Sequence, residues 1–239
     1  MNRIITLLFL CLSFHISGQT ITADELLNKS IKHHDPEGKW QSFNGSFTVE
    51  MTTPNASIRT SNITVNLPGE YFKVDAKRDS ISTSYTIVKD NCSMAYNGKI
   101  VDSLEAVKKN MNCDRALLYK NYYTYLYGLP MKLKDPGTIV YDNVEKKNFK
   151  GKDYLVLKVT YDEAVGSDVW YFYFNPKTYA MELYQFFKTD DSGNEKADSG
   201  EYILLSEEAM VNGIKMPKVR AWYYNKDEKY LGTDTLIEN

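Results

Sequence analysis

Few side chains in this sequence are suited to acid–base or nucleophilic work. The chain holds three histidines, at positions 15, 33 and 34. His33, His34 and Asp35 are consecutive, and a carboxylate beside an imidazole can orient a catalytic base. Adjacent residues on a helix point ~100° apart, which sets His33 and His34 poorly for gripping one metal ion. The competing reading makes the trio a structural cap at a helix end, where histidine meets partial negative charge. That reading is preferred. No Gly-x-Ser-x-Gly elbow, His-Glu-x-x-His helix or Walker loop occurs. A serine triad would have to draw on His33 or His34 without a local motif. Asp190–Asp191 and Glu207–Glu208 are adjacent carboxylates on expected solvent faces. A glycosidase pair is defined by spatial separation, which spacing along the chain does not reveal. No catalytic residue, metal site or cofactor is assigned, and a hydrolase is the least favoured reading.

The cysteines are Cys11, Cys92 and Cys113. Cys11 sits inside an apolar run and follows Leu10, where a lipoprotein signal needs a small residue. No lipid anchor is expected. Cys92 and Cys113 permit a disulfide closing a loop of about 20 residues, worth ~3 kcal/mol in the entropic model. Two buried free thiols fit equally well. No Cys-x-x-Cys occurs, which removes zinc ribbons and thioredoxin-like redox chemistry.

Aromatic side chains carry the stronger signal, with 19 tyrosines, 10 phenylalanines and 3 tryptophans. Trp170-Tyr171-Phe172-Tyr173-Phe174 is aromatic on both faces of one expected strand. Trp222-Tyr223-Tyr224 repeats the pattern. A strand with two apolar faces must cover both. Tyr119, Tyr122, Tyr123, Tyr125 and Tyr127 crowd one expected helix. A tyrosine ring is apolar while its hydroxyl tolerates water, which suits a rim or lid. A cavity or lid made of Trp170, Phe172, Phe174, Trp222, Tyr122 and Tyr125 competes with plain core for the same residues.

These residues need a frame. Met1-Asn2-Arg3, the apolar run from Ile4 to Ile16 and the small residues Ser17-Gly18 have the order of a secretory signal peptide. Cleavage is expected after Gly18. The run is too short to span a bilayer comfortably, since ~20 apolar residues are needed. Thr22-Ala23-Asp24-Glu25 matches the capping box and opens a helix over 22–34, ended by Asp35-Pro36 and Gly38. From Phe43 the apolar period changes to two. Strands are expected over 47–51, 58–66, 71–76, 81–88 and 93–96, with Asn97-Gly98 as a hairpin turn. A helical interlude starts at Leu104 and Val107. Asp114 is expected to cap a second helix, with Leu118, Tyr122, Tyr125 and Leu126 recurring along it and Gly128 and Pro130 stopping it. Strands return over 139–143, 154–161, 169–174, 181–187, 202–209, 218–224 and 229–235. Asp190 to Ser199 reads as an exposed loop.

Composition agrees with one folded domain over 19–239. The chain has 239 residues, 43% hydrophobic and 25% charged, and a net charge of -2. That balance excludes a nucleic-acid-coating protein. No linker or repeat divides the mature chain, and no later stretch is long and apolar enough to cross a membrane. The expected fold class is mainly β with a few helices (α+β). It takes the form of a half-open antiparallel β-barrel with a helical lid. The expected location is periplasmic or secreted. Oligomeric state stays open.

The order of signal peptide, capped helix, meander, tyrosine-rich helix and meander resembles the LolA/LolB-like lipoprotein localisation factors. His34-Asp35-Pro36-Glu37-Gly38-Lys39-Trp40, Gly128-Leu129-Pro130, Tyr173-Phe174-Asn175-Pro176 and Asn212-Gly213-Ile214-Lys215-Met216-Pro217 also resemble a group of exported bacterial proteins of similar length, of Bacteroidetes type. The first resemblance implies an open barrel that holds lipid or lipoprotein acyl chains under helical lids. The implied partner is a hydrophobic ligand, a lipid or an acylated peptide, with transient contact to an envelope membrane left open. Arg115 and Arg220 match that family's ligand-gating arginine by residue type only. The rival reading is an envelope interaction module without a ligand.

Overall fold

The computed structural model describes residues 21–237. The expected signal peptide, its cleavage point and His15 lie outside the described residues. Helix α1 (Ala23–His34) opens as its sequence dictates. The Thr22 hydroxyl accepts from the Glu25 amide, and the Glu25 carboxylate accepts from the Thr22 amide. Leu26 and Leu27 are buried on one face of it.

Two meanders follow. The first runs β1 (Asn44–Thr53), β2 (Ala56–Asn66), β3 (Tyr71–Arg78), β4 (Ile81–Val88), β5 (Asn91–Tyr96) and the short β6 (Lys99–Ile100). Helices α2 (Ser103–Lys108) and α3 (Cys113–Gly128) interrupt the series. The second runs β7 (Thr138–Phe149), β8 (Lys152–Tyr161), β9 (Val169–Phe174), β10 (Met181–Phe187), β11 (Glu201–Val211), β12 (Ile214–Tyr224) and β13 (Tyr230–Ile237). Within each meander every strand pairs antiparallel with its sequence neighbour, and β1 pairs β13. One 13-stranded sheet results, with β6 and β7 at its two ends. The fold is therefore mainly β with a few helices. The sheet stays open, and α1 and α3 lie against its inner face.

The asparagine–glycine turns explain the tight hairpins. Asn97 and Gly98 both take positive φ, as do Asn212 and Gly213, which is the backbone a two-residue hairpin turn demands. Three expectations need correction. The cap of α3 is Asn112, whose Oδ1 accepts from the Arg115 amide, while Asp114 lies within the first turn. Leu118 is exposed, and α3 turns Ala116, Tyr123, Leu126 and Tyr127 inward instead. Strand β7 runs on to Phe149, well past the expected end at Asn143. Its Glu145-Lys146-Lys147 stretch is polar because β7 is an edge strand, where charge discourages pairing with other chains.

The aromatic strand splits its faces as alternation requires. Trp170, Phe172 and Phe174 point to the inner core, while Tyr171 and Tyr173 join a second cluster on the outer face. That outer cluster includes Tyr154, Val156, Leu183 and Tyr202. Lysine stems roof it. The ammonium of Lys147 sits 4.2 Å from the centre of the Tyr171 ring, and that of Lys150 sits 5.2 Å from the Tyr202 ring. Cys92 at the start of β5 and Cys113 at the start of α3 form a disulfide with Cα atoms 5.9 Å apart.

Candidate ligand-binding cleft

Helix α3 presents tyrosines to the sheet where a core helix would present aliphatics. Tyr119 meets Tyr85 on β4 at 5.3 Å between ring centres, and Tyr127 meets Phe47 on β1 at 4.7 Å. Tyr122 stacks on Trp222 of β12 at 6.2 Å. Tyr125 meets the edge of Trp170 at 5.8 Å, and its hydroxyl bonds to that of Tyr161. Trp170 in turn stacks on Phe186 at 4.8 Å. The far end of α3 is seated tightly. A Cβ on Gly128 would come within 2.2 Å of the Trp40 ring, so only glycine lets the helix end pass there.

Polar groups are threaded through this aromatic seam. The Tyr122 hydroxyl donates to Asp234 Oδ2 at 2.9 Å. Asp234 is buried, and burial pushes its carboxyl up from the ordinary range against the lowering pull of Tyr122, Arg220 and Arg59. Burial first, and then the Asp234 charge, raises the Tyr122 hydroxyl well above its usual value. Arg220 stands opposite Asp234 in the β12–β13 register and is fully buried. Its guanidinium lies 3.8 Å from the centre of the Tyr127 ring. Its Nη1 donates to the Pro217 carbonyl at 2.9 Å and its Nη2 to the Leu126 carbonyl at 3.2 Å. Arg220 thus fastens the end of α3 to β12. The Tyr127 hydroxyl is buried with no hydrogen-bond partner.

A cavity of about 150 Å³ opens beside this network, lined by Met51, Tyr122, Glu201, Trp222, Leu231 and Asp234 among others. The six aromatic residues singled out from sequence divide accordingly. Tyr122 and Trp222 line the cavity. Trp170 and Tyr125 pack against each other nearby. Phe172 and Phe174 are sealed in the core. Tyr85, Tyr161, Tyr184 and Asp234 belong to the same seam and were not legible, because single tyrosines and an aspartate in a strand carry no local signal. A larger cavity, about 410 Å³, lies against β2 to β5 and is lined by Thr60, Asn62, Asp75, Lys77, Ser82 and Ser84 among others. It holds no aromatic residue among those that line it.

The histidines are occupied otherwise. Among the described residues, His33, His34 and Glu208 place ligand atoms within 4.8 Å of one another. Yet His34 Nδ1 bonds to the Lys215 carbonyl at 2.7 Å, and its Nε2 accepts from the Met181 amide at 3.0 Å. No ring nitrogen of His34 is left for a metal. Burial first, with the charge of His33 adding to it, lowers His34 to about 4, so the ring is neutral and structural. His33 pairs with Glu208 at 2.5 Å. Asp35 does not orient an imidazole. Its carboxylate accepts from the Lys39 and Trp40 amides at 2.7 and 2.9 Å, shaping the loop after α1. His34 therefore joins α1 to two strands and does not cap the helix end.

A family model described as a family of unknown function, DUF6503, matches residues 2–239. The chain belongs to this family. No curated protein matches the DUF6503 chain. Among solved structures it is similar to a DUF1329 family protein from Desulfovibrio piger, at 8% identity and a TM-score of 0.50, covering 92% of each chain. It is also similar to a LolA superfamily protein from Nitrosomonas europaea, at 11% identity and a TM-score of 0.49, covering 92% of this chain and 93% of that one. At such identities the likeness is one of fold. Among the described residues no helix is long and apolar enough to cross a membrane.

Proposed function

We propose that this DUF6503 protein is an exported carrier that holds an apolar ligand, a lipid or the acyl chains of a lipoprotein, between α3 and the inner face of the sheet. The observation that carries this reading is the seam itself. Tyr122, Tyr125 and Tyr127 form a helix–sheet contact of rings and hydroxyls, with one hydroxyl left unpartnered and a cavity at Tyr122 and Trp222. A buried hydroxyl without a partner costs free energy, which marks the contact between α3 and the sheet as imperfectly matched at Tyr127. Ligand pockets usually run ~300–1,000 Å³. The carrier reading therefore requires the seam to widen between the pinned start and the fastened end of α3 as the ligand enters. The LolA/LolB-like order of elements supports the same role. The Cys92–Cys113 disulfide supports export to an oxidising compartment.

A second reading, an envelope interaction module with a filled interior, draws on the small volume of about 150 Å³ at the seam. Native mass spectrometry of the mature protein, purified from its envelope fraction and followed by lipid extraction, separates the two. The carrier reading expects a co-purifying lipid or acylated peptide that is lost on Trp170→Asp. A clean apo mass, unchanged after incubation with envelope lipids, overturns it and leaves the interaction module.

A further inference from the structure

The segment that carries α2 exposes aliphatic side chains to an unusual degree. Ile100 is 84% exposed, Leu104 and Val107 are each 77% exposed, and Leu118 on the first turns of α3 is 65% exposed. These side chains are not loose remnants of a poorly packed region. Val101, Ala106 and Met111, interleaved with them, are buried. Asp102 caps α2 by accepting from the Glu105 amide at 2.9 Å. The disulfide to Cys92 then pins the start of α3. A firmly anchored segment thus holds bare aliphatic tips in water, with Leu104 and Val107 three residues apart on one face of α2.

The charge around those tips says what would cover them. From 99 to 120 the chain carries Lys99, Lys108, Lys109, Arg115 and Lys120 against Asp102, Glu105 and Asp114, while the whole chain is net -2. Among the described residues none of those five cations forms an ion pair with a carboxylate. Lys109 instead lies over the Tyr96 ring at 4.4 Å. Protein interfaces are anchored by tryptophan, tyrosine and arginine in pockets. Protruding leucine, isoleucine and valine with lysines close by along the chain fit the boundary between acyl chains and anionic headgroups. We propose that Ile100, Leu104, Val107 and Leu118 dock this protein on an anionic lipid bilayer surface, with Lys99, Lys108 and Lys109 meeting the headgroups. None of these four side chains lines the cavity at Tyr122 and Trp222, and the proposal does not rest on the ligand reading.

The test is co-sedimentation of the chain from Gln19 onward, which contains every described element, with two kinds of vesicle. One kind is phosphatidylglycerol with phosphatidylethanolamine, and the other is phosphatidylcholine alone. Binding is expected to the anionic vesicles only and to weaken as salt is raised. Leu104→Asp with Val107→Asp is expected to abolish it. Lys108→Glu with Lys109→Glu is expected to weaken it by about tenfold or more. Both pairs of substitutions are at exposed positions, and near-ultraviolet circular dichroism checks that the fold is kept. Equal binding to both vesicles, no binding to either, or full binding by the folded Leu104→Asp, Val107→Asp protein overturns the proposal. So does concentration-dependent dimerisation that the same aspartates abolish, since the surface would then cover a second copy. None of these readouts depends on whether a lipid co-purifies.

Discussion

His34 reaches from α1 to β10 and β12 with one donor and one acceptor, and it can do so only while neutral. Its pKa is ordinary in the unfolded chain, near 6.5, and falls to about 4 on folding. A depressed value means the unfolded chain binds the extra proton first. The stabilisation is therefore complete above pH ~6.5 and drains away as pH falls through about 4, amounting to about 3 kcal/mol at most. His34→Gln keeps a donor and an acceptor without titrating. Urea titrations from pH 7 to 4 should show a flatter stability profile for that variant than for the native protein. A parallel decline in both would remove the assignment. None of this was readable beforehand, since both partners of His34 lie more than 140 positions away along the chain. Asp35 takes the structural part expected of the trio, as the C-cap of α1. Its neighbour in sequence was an imidazole, but its neighbours in space are two amides of the following loop.

Element by element, the helix signals set by local chemistry were legible, and those set by competition between neighbours were not. The Thr22 capping box needed only four residues. At α3 two capping residues stood close together, and Asn112 prevailed over Asp114. Asn112→Ala should cost about 1 kcal/mol in chemical denaturation, while Asp114→Ala should cost far less. The seat of α3 against Trp40 gives a sharper test. Gly128→Ala places a methyl into the indole ring, and a loss of about 2 kcal/mol is expected from thermal melts. Breaking the Cys92–Cys113 bridge, with both residues changed to serine, should cost about 3 kcal/mol by the loop it closes. It should also loosen α2 and α3 more than β8 to β10, as amide exchange would read. The far half of β7 escaped notice because an edge strand need not alternate. Val144 to Phe149 shows its strand character only through pairing with β8.

At the scale of the whole molecule, two meanders of sequential hairpins share a single seam, β1 against β13. Hairpins joined by Asn-Gly turns announce themselves in sequence. A pairing between the first strand and the last does not, because nothing local connects them. The seam also carries the buried Asp234 and leads to Arg220 on the next strand. Truncation before Tyr230 should abolish the cooperative unfolding transition, while the strands of the second meander keep some far-ultraviolet signal. A ribosome delivers this chain with β1 near the front and β13 near the back. Throughout that passage β1 emerges with one edge bare, and a bare edge recruits whatever strand is nearest. The interval before β13 arrives is thus the one in which the edge of β1 is open to other strands.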